Sequence, residues 1–457
     1  MGAGHSHAHS HGHSEGGGLD DAFRVGSLAR SLLLGFLGLA LAATIAGLVV
    51  WLPPGDTVDR AAETGGAAAQ FAAPGVTFPS GEITEVAPRC GGQGLPDGSG
   101  CSTLTVRVPG EAEPVQVQVP PEVIDSGLGR GDTVELLRTP PSDGQPASYS
   151  YFATERHGTL ALLFGFFVLV VVAVARWRGV FALLGLAFGG AVVWWWMLPA
   201  LLDGTTGVGV AMTSAAAIMF VVLYTTHGFS LRTSTALAGT LVGIVLTAGL
   251  GVVAVSEARL TGISDEGGAI LATFGALDFQ DLLACALVIA GLGVLNDVTI
   301  TQASAVWELR AASPLASRAR IFAGAMRIGR DHIASTIYTI VFAYVGTALL
   351  LLMLLRVYDR PLLDLLSTEQ LAEEVVRTLV TSIGLVLAVP VTTGLAALVA
   401  SPQGEVEDDP ADLEDVDPAP RHPGGSERPS SEAGVPGAPI PPIPPIATPP
   451  GGRRRKV

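Results

Sequence analysis

Residues 281–309 read DLLACALVIAGLGVLNDVTITQASAVWEL, and this stretch predicts both the fold and a site. An apolar run, Leu282–Leu295, leads directly into amides, hydroxyls and acids. In a helix, residues at i, i+4, i+7 and i+11 share one face. Ionisable groups at membrane depth are costly and usually functional. The residues on this predicted polar face are Asp297, Thr301, Ser304 and Glu308, widened by Asn296, Thr299 and Gln302.

The composition of the whole chain is that of a membrane protein. Of its 457 residues, 49% are hydrophobic and 15% are charged, and the mean hydropathy is +0.49. Several apolar stretches approach the roughly 20 residues that a helix needs to cross a bilayer. We therefore predict a mainly α-helical polytopic membrane protein with about eight transmembrane helices. The predicted spans are residues 27–51, 159–175, 180–201, 207–225, 234–255, 281–303, 333–355 and 375–400.

The distribution of charge predicts the orientation in the bilayer. Arginines concentrate in every second connecting segment, and short cytoplasmic loops carry such an excess. This alternation places both termini in the cytoplasm. The formal net charge of −15 comes mostly from segments outside the spans. Because no basic patch is present, we do not expect nucleic-acid binding, and the main partner is the lipid bilayer.

The segment after the first span predicts a small extracytoplasmic domain. No A-x-A cleavage site follows the span 27–51, so we interpret it as a retained anchor. Residues 52–79 are rich in Ala, Gly and Pro and form a linker, whereas residues 80–153 alternate as short strands do. Five such strands predict an all-β domain resembling an OB-fold barrel. The candidate strands are Glu82–Val86, Thr103–Val108, Val115–Val119, Thr133–Leu137 and Ser148–Phe152.

Cys90 and Cys101 bracket a glycine-rich loop in this domain. Outside the cytoplasm such a pair favours a disulfide that closes a hairpin. The alternative, a two-cysteine metal site, lacks histidines nearby.

Both ends of the chain are predicted to be disordered cytoplasmic tails. Residues 154–400, before the second tail, are predicted to form a seven-helix transmembrane domain. Residues 401–457 are acidic and then proline-rich, a composition that leaves no packed core. In residues 1–26, five histidines alternate with small residues and could bind a divalent metal, although such affinity can be incidental. We expect no other cofactor. The histidines are His5, His7, His9, His11 and His13.

Two runs in the membrane region resemble a known family. They are GLGVLNDVTITQASAVWELR at 291–310 and IGRDHIASTIYTIVFAY at 328–344. Both resemble the YibE/F family of multi-pass bacterial membrane proteins. The resemblance is firm over about 155–400 and looser over the external domain. The family's members are described as membrane proteins and in some cases as permeases, without a settled substrate. The resemblance implies a bacterial cytoplasmic membrane protein and carries over, without a role, Asn296, Asp297, Thr299, Thr301, Gln302 and Ser304.

The leading hypothesis is a permease-like protein in which the polar face of the sixth span lines the path of a solute or cation. Asp297 would be the coordinating or proton-carrying carboxylate, because oxygen ligands suit hard cations and protons. His332 is interpreted as a local hydrogen-bonding residue near the start of the seventh span. No HExxH, GxSxG, P-loop or dinucleotide motif occurs, so we do not expect an enzyme, and an intramembrane enzyme is the least favoured class.

A different class of function stays open. In a non-transporting scaffold or sensor, the external barrel would bind a ligand or an envelope partner, and the polar residues would pair helices within the chain or a homo-oligomer. The polar face also has a purely structural interpretation. Asp297 could lie near the cytoplasmic interface, and Glu308 could face the solvent.

Overall fold

The computed structural model describes residues 27–64, 75–87, 102–141, 146–272, 277–357 and 361–400. Cys90 and Cys101 lie outside the described residues, as do both predicted tails. The disulfide and the histidine-tail metal site therefore stay predictions.

Most of the described chain is helical. Six helical stretches are long and apolar enough to cross a membrane, and there are seven if a pair bent by 64° counts as one span. Each predicted span falls on one of these stretches, although the number of spans stays a prediction. The helices are α1 Ser27–Val50, α2 Thr57–Thr64, α3 Pro121–Asp125, α4 His157–Val192, α5 Leu198–Leu202, α6 Gly207–His227, α7 Leu231–Glu257, α8 Glu266–Leu271, α9 Phe279–Ala312, α10 Arg318–Thr347, α11 Leu349–Val357, α12 Leu362–Leu366 and α13 Glu369–Val399.

The longest helical stretch, His157–Leu202, contains a sharp bend. Its 46 residues would extend roughly 69 Å if straight, more than twice the hydrocarbon core of a bilayer. Arg176 has φ 54° and ψ −135°, which no helix contains. A Cβ atom on Gly179 would lie 2.7 Å from the carbonyl oxygen of Val171, whereas residues eight apart in a straight helix are about 12 Å apart. The chain therefore folds back at Arg176, between the second and third predicted spans.

The bundle is built around α7, α9 and α13, which pack closely against one another because glycines face side chains of the next helix. A Cβ atom on Gly239 of α7 would overlap the side chain of Thr392 on α13, and one on Gly384 of α13 would overlap the hydroxyl of Thr247 on α7. Small residues of this kind allow helix backbones to approach closely in membranes. The polar side chains of α9 are therefore held between close neighbours.

Asp281, in the first turn of α9, joins α9 to the start of α6. Its carboxylate accepts hydrogen bonds from the backbone N–H groups of Gly207 and Val208, the latter at 3.1 Å. The first N–H groups of a helix have no partner within the helix, and the helix dipole favours a negative charge there. A side chain from another helix thus caps α6.

Replacing Asp281 with Asn should destabilise the bundle by about 1 kcal/mol, because the amide keeps an acceptor oxygen but loses the charge beside the helix dipole. Thermal unfolding of the purified protein in detergent would measure this loss. Glu257→Gln is the matched control, since it removes the same charge from an exposed residue at the end of α7. Equal melting temperatures for the two variants would contradict the capping role.

The seventh predicted span differs from the helix that the structure shows there. The prediction places the span at 333–355, whereas α10 begins at Arg318, after Ser317 caps it by accepting the N–H of Arg320, and ends at Thr347. A prediction from hydropathy assigns the arginine-rich first half of α10 to a loop. The segment is nevertheless helical, because helical hydrogen bonding depends little on the charge of an exposed side chain. The outer part of the predicted span is a separate helix, α11, bent by 64° from α10.

The predicted external domain is a five-stranded antiparallel sheet in the order β3-β2-β1-β4-β5. Its end strands, β3 and β5, contact each other, so the sheet curls into a barrel-like form. Inward-facing apolar side chains such as Ile83, Leu104 and Val134 form its core. All five predicted strands are confirmed, with ends shifted by no more than two residues. The strands are β1 Ser80–Ala87, β2 Ser102–Arg107, β3 Val115–Val119, β4 Thr133–Thr139 and β5 Ser148–Thr154.

Candidate functional site

The structure places the seven predicted site residues on two sides of α9. Thr299 and Gln302 are completely buried, at 0% exposure. Asp297 and Glu308 are exposed, and the remaining three, Asn296, Thr301 and Ser304, are half-buried. Residues three and four apart share a helix face, so Asn296, Thr299 and Gln302 form a second stripe beside Asp297, Thr301, Ser304 and Glu308. The predicted site thus has an outward side, which is the exposed stripe of α9 that contains Asp297, and an inward side, which is the buried stripe that contains Gln302.

On the outward side, Asp297 meets a histidine of the next helix. The carboxylate oxygen Oδ2 of Asp297 lies 3.5 Å from Nε2 of His332 on α10, and the two side chains are 66% and 28% exposed. With a rise of 1.5 Å per residue, Asp297 is about 27 Å from the start of α9, and His332 is about 21 Å from the start of α10. The pair therefore lies in the middle of both helices. Thr301 donates its hydroxyl to the carbonyl oxygen of Asp297 at 2.7 Å.

On the inward side, hydrogen bonds connect α9 to both of its central neighbours. The hydroxyls of Thr299 and Thr240 on α7 are 2.6 Å apart. The hydroxyl of Thr393 on α13 donates to Oε1 of Gln302 at 2.9 Å. These bonds fix the rotation of α9 against α7 and α13.

Hydrogen-bonding capacity remains unused around the same three helices. Buried polar atoms without a partner among the described residues include Nε2 of Gln302, Oδ1 of Asn296 and the hydroxyls of Thr247 and Thr392. Buried polar groups in proteins nearly always have partners. This concentration of unpartnered atoms between α7, α9 and α13 distinguishes the interface from ordinary apolar helix packing.

The structure also identifies two residues that the sequence analysis did not select. His332 was interpreted as a residue at a helix end, but α10 begins 14 residues before it. Glu373 precedes the predicted eighth span and is nevertheless buried near the start of α13, at 5% exposure. A signal for Glu373 existed in its spacing of four from Glu369, which places both carboxylates on one face of a helix.

No group of three or more His, Cys, Asp or Glu side chains within the described ranges is placed to hold a metal ion. The oxygen atoms and single imidazole of the site can instead bind and exchange protons. They can also contribute single ligands to a small cation.

Long apolar helices with polar side chains buried between them define this chain as an integral membrane protein. The sequence model of the YibE/F-like protein family matches residues 163–402, which is more than half of the chain. The chain belongs to the YibE/F-like family, as the resemblance predicted. A search of curated proteins and a search of solved structures gave no match.

Proposed function

We propose that this protein is permease-like and moves a proton or small cation along the polar side chains of α9. The observation that carries this proposal is the Asp297–His332 pair, with a distance of 3.5 Å between the carboxylate and the imidazole. A carboxylate and an imidazole this close together can pass a proton between them, and ionisable groups on membrane-spanning helices commonly mark ion pathways. The proposal includes no enzymatic activity.

The position of His332 supports a continuation of the path to the inward side of α9. Gly329 lies three residues before His332 on α10, and a Cβ atom there would be 3.0 Å from Oε1 of Gln302. His332 is therefore about one helical turn from the buried amide. From Gln302 the polar atoms continue to Thr393 and to the unpartnered hydroxyl of Thr392.

The orientation that accompanies this function has both termini in the cytoplasm of a bacterium and an OB-like barrel outside. Contacts between the two loops that this topology assigns to the outer side support their placement on one side of the membrane. The hydroxyl of Thr261 donates to Glu369 at 2.9 Å, and the side-chain amide of Gln370 donates to the carbonyl oxygen of Ser264 at 2.6 Å. Residues 261–264 and 369–370 therefore meet at one end of the bundle, which requires the two loops to lie on the same side of the membrane.

Proton flux into proteoliposomes, driven by a potassium diffusion potential and followed with a pH-sensitive dye, tests this function. We expect flux above that of empty liposomes and a loss of at least about tenfold in Asp297→Asn, because an amide cannot carry the proton. Asp331→Asn is the matched control, since it neutralises an exposed acid next to His332. Unchanged flux in Asp297→Asn would remove Asp297 from the mechanism.

A second candidate is a scaffold or sensor whose barrel binds an envelope partner or ligand. The observation that favours it is the separate hydrophobic core of the barrel, built from its own strands, as in a domain with its own binding role. Absence of flux of protons, sodium and potassium in the same liposomes, together with stoichiometric cross-linking through residues 80–153, would favour this candidate.

A further inference from the structure

We propose that the side chain of Glu373 is a proton-binding site at the end of the bundle where α7 ends and α13 begins. This inference deepens the proposed function by naming an outer entry for its ion. The role in transport rests on that function, whereas proton binding itself can be measured in the purified protein without any flux.

The carboxyl group of Glu373 is buried. Glu373 is 5% exposed, although it lies only one turn from the start of α13. Its Oε2 accepts a hydrogen bond from the hydroxyl of Ser264 at 2.8 Å. Its Oε1 is buried and has no partner among the described residues. One neutral donor is little compensation for a buried negative charge, because burying an ionised carboxylate without a counter-charge is costly.

The charged side chains around Glu373 are mostly acidic. Arg377, one helical turn further along α13, forms an ion pair with Glu374, while the second oxygen of Glu374 is buried without a hydrogen-bond partner among the described residues. Glu369 accepts hydrogen bonds from both the backbone N–H and the hydroxyl of Thr261. The group therefore contains three carboxylates and one guanidinium. A ligand that neutralises Glu373 must carry a positive charge.

A proton fits this site better than a metal cation. In the portion of the chain that the structure describes, these carboxylates are not arranged to hold a metal ion together. A proton needs only one lone pair, and the unpartnered Oε1 of Glu373 offers one. The proton comes from hydronium in the solvent: one O–H bond of hydronium breaks and leaves water, one O–H bond forms to the carboxylate oxygen, and no other bond in the chain changes. Release simply reverses this step.

The position of Glu373 suits a point of entry. Ser264 and Thr261 belong to the segment between α7 and α8, on the predicted outer side of the membrane. Along the same helix, Thr393 lies about 30 Å further on, at 1.5 Å per residue, and it contacts Gln302. α13 thus carries the proposed proton site at one end and a contact with the polar side of α9 near the other.

Infrared spectroscopy of the purified full-length protein tests this proposal, because protonated carboxylic acids have a C=O stretching band that carboxylates lack. Exposed Asp and Glu side chains are ionised at neutral pH, so a band that persists there reports a protonated buried acid. We expect such a band in the wild type, its loss in Glu373→Gln, and its retention in Glu257→Gln, the matched control, which removes an exposed acid at the end of α7.

A neutral-pH spectrum without this band, or one unchanged by Glu373→Gln, would overturn the proposal. So would an ionised Glu373 in a protein whose unfolding temperature rises with sodium or potassium, since the site would then bind a metal cation. If Glu373→Gln does not fold, Ser264→Ala serves instead. Loss of the Ser264 hydrogen bond should shift the band in frequency, and an unshifted band would count against Glu373. A band without proton flux would refute the transport function alone.

Discussion

Replacing Arg310 with alanine should lower the free energy of unfolding by about 3–5 kcal/mol, because buried carbonyl oxygens lose their donor and a cavity replaces the side chain. Arg310 lies in the last turn of α9 and is completely buried. Its Nε donates to the carbonyl oxygen of Ala400, at the end of α13, at 3.0 Å. Its Nη1 donates to the carbonyl oxygens of Pro314 and Ala316, at 3.4 and 2.5 Å. One guanidinium therefore holds together α9, the connection to α10 and the end of α13.

The alanine variant would leave these three carbonyl oxygens without their donor and a cavity in place of the largest fully buried side chain of the described chain. Arg310→Lys should recover only part of the loss, since an ammonium cannot reproduce the planar arrangement of donors. Thermal unfolding in detergent measures both effects. Arg327→Ala, which removes an exposed arginine from α10, should change the stability by no more than about 0.5 kcal/mol. Equal losses at positions 310 and 327 would contradict this account.

Segments with a regular pattern of apolar residues could be predicted from the sequence. The strand Val115–Val119 has the predicted ends because alternating apolar residues continue until proline at Pro120. The helix α6 begins at Gly207, as predicted, where the apolar run begins. In both segments the local pattern and the tertiary structure require the same conformation, so the sequence alone was sufficient.

The contacts of Asp297 were outside the reach of such reasoning. Helical periodicity identifies which residues share a face of α9, but it does not say which neighbouring helix that face meets. The partner of Asp297, His332, is on a helix whose polar first half does not resemble a span. For the same reason Glu373 was left outside the eighth predicted span: hydropathy registers its charge and not its burial beside Ser264. Tertiary packing decides both cases.

The close packing of α7 against α13 gives the second large effect. Gly384→Ala should destabilise the protein by about 2 kcal/mol, within the range of overpacked interiors. The new methyl group would overlap the hydroxyl of Thr247 on α7. Gly293→Ala is the matched control on α9, because a Cβ atom there meets nothing within 4 Å. Since alanine has a higher helix propensity than glycine, this control should be neutral or stabilising by up to about 1 kcal/mol.

A second substitution tests whether the overlap with Thr247 causes the loss of stability in Gly384→Ala. In Gly384→Ala/Thr247→Ala the overlapping hydroxyl is gone, and the Cβ atom of residue 247 lies 3.3 Å from the new methyl group. Thr247→Ala alone should cost little, since that hydroxyl has no hydrogen-bond partner among the described residues. The double variant should therefore regain most of the stability lost in Gly384→Ala, and failure to do so would refute the packing argument. If it regains stability but loses proton flux, the Thr247 hydroxyl acts in transport, because its contribution to folding has then been measured separately.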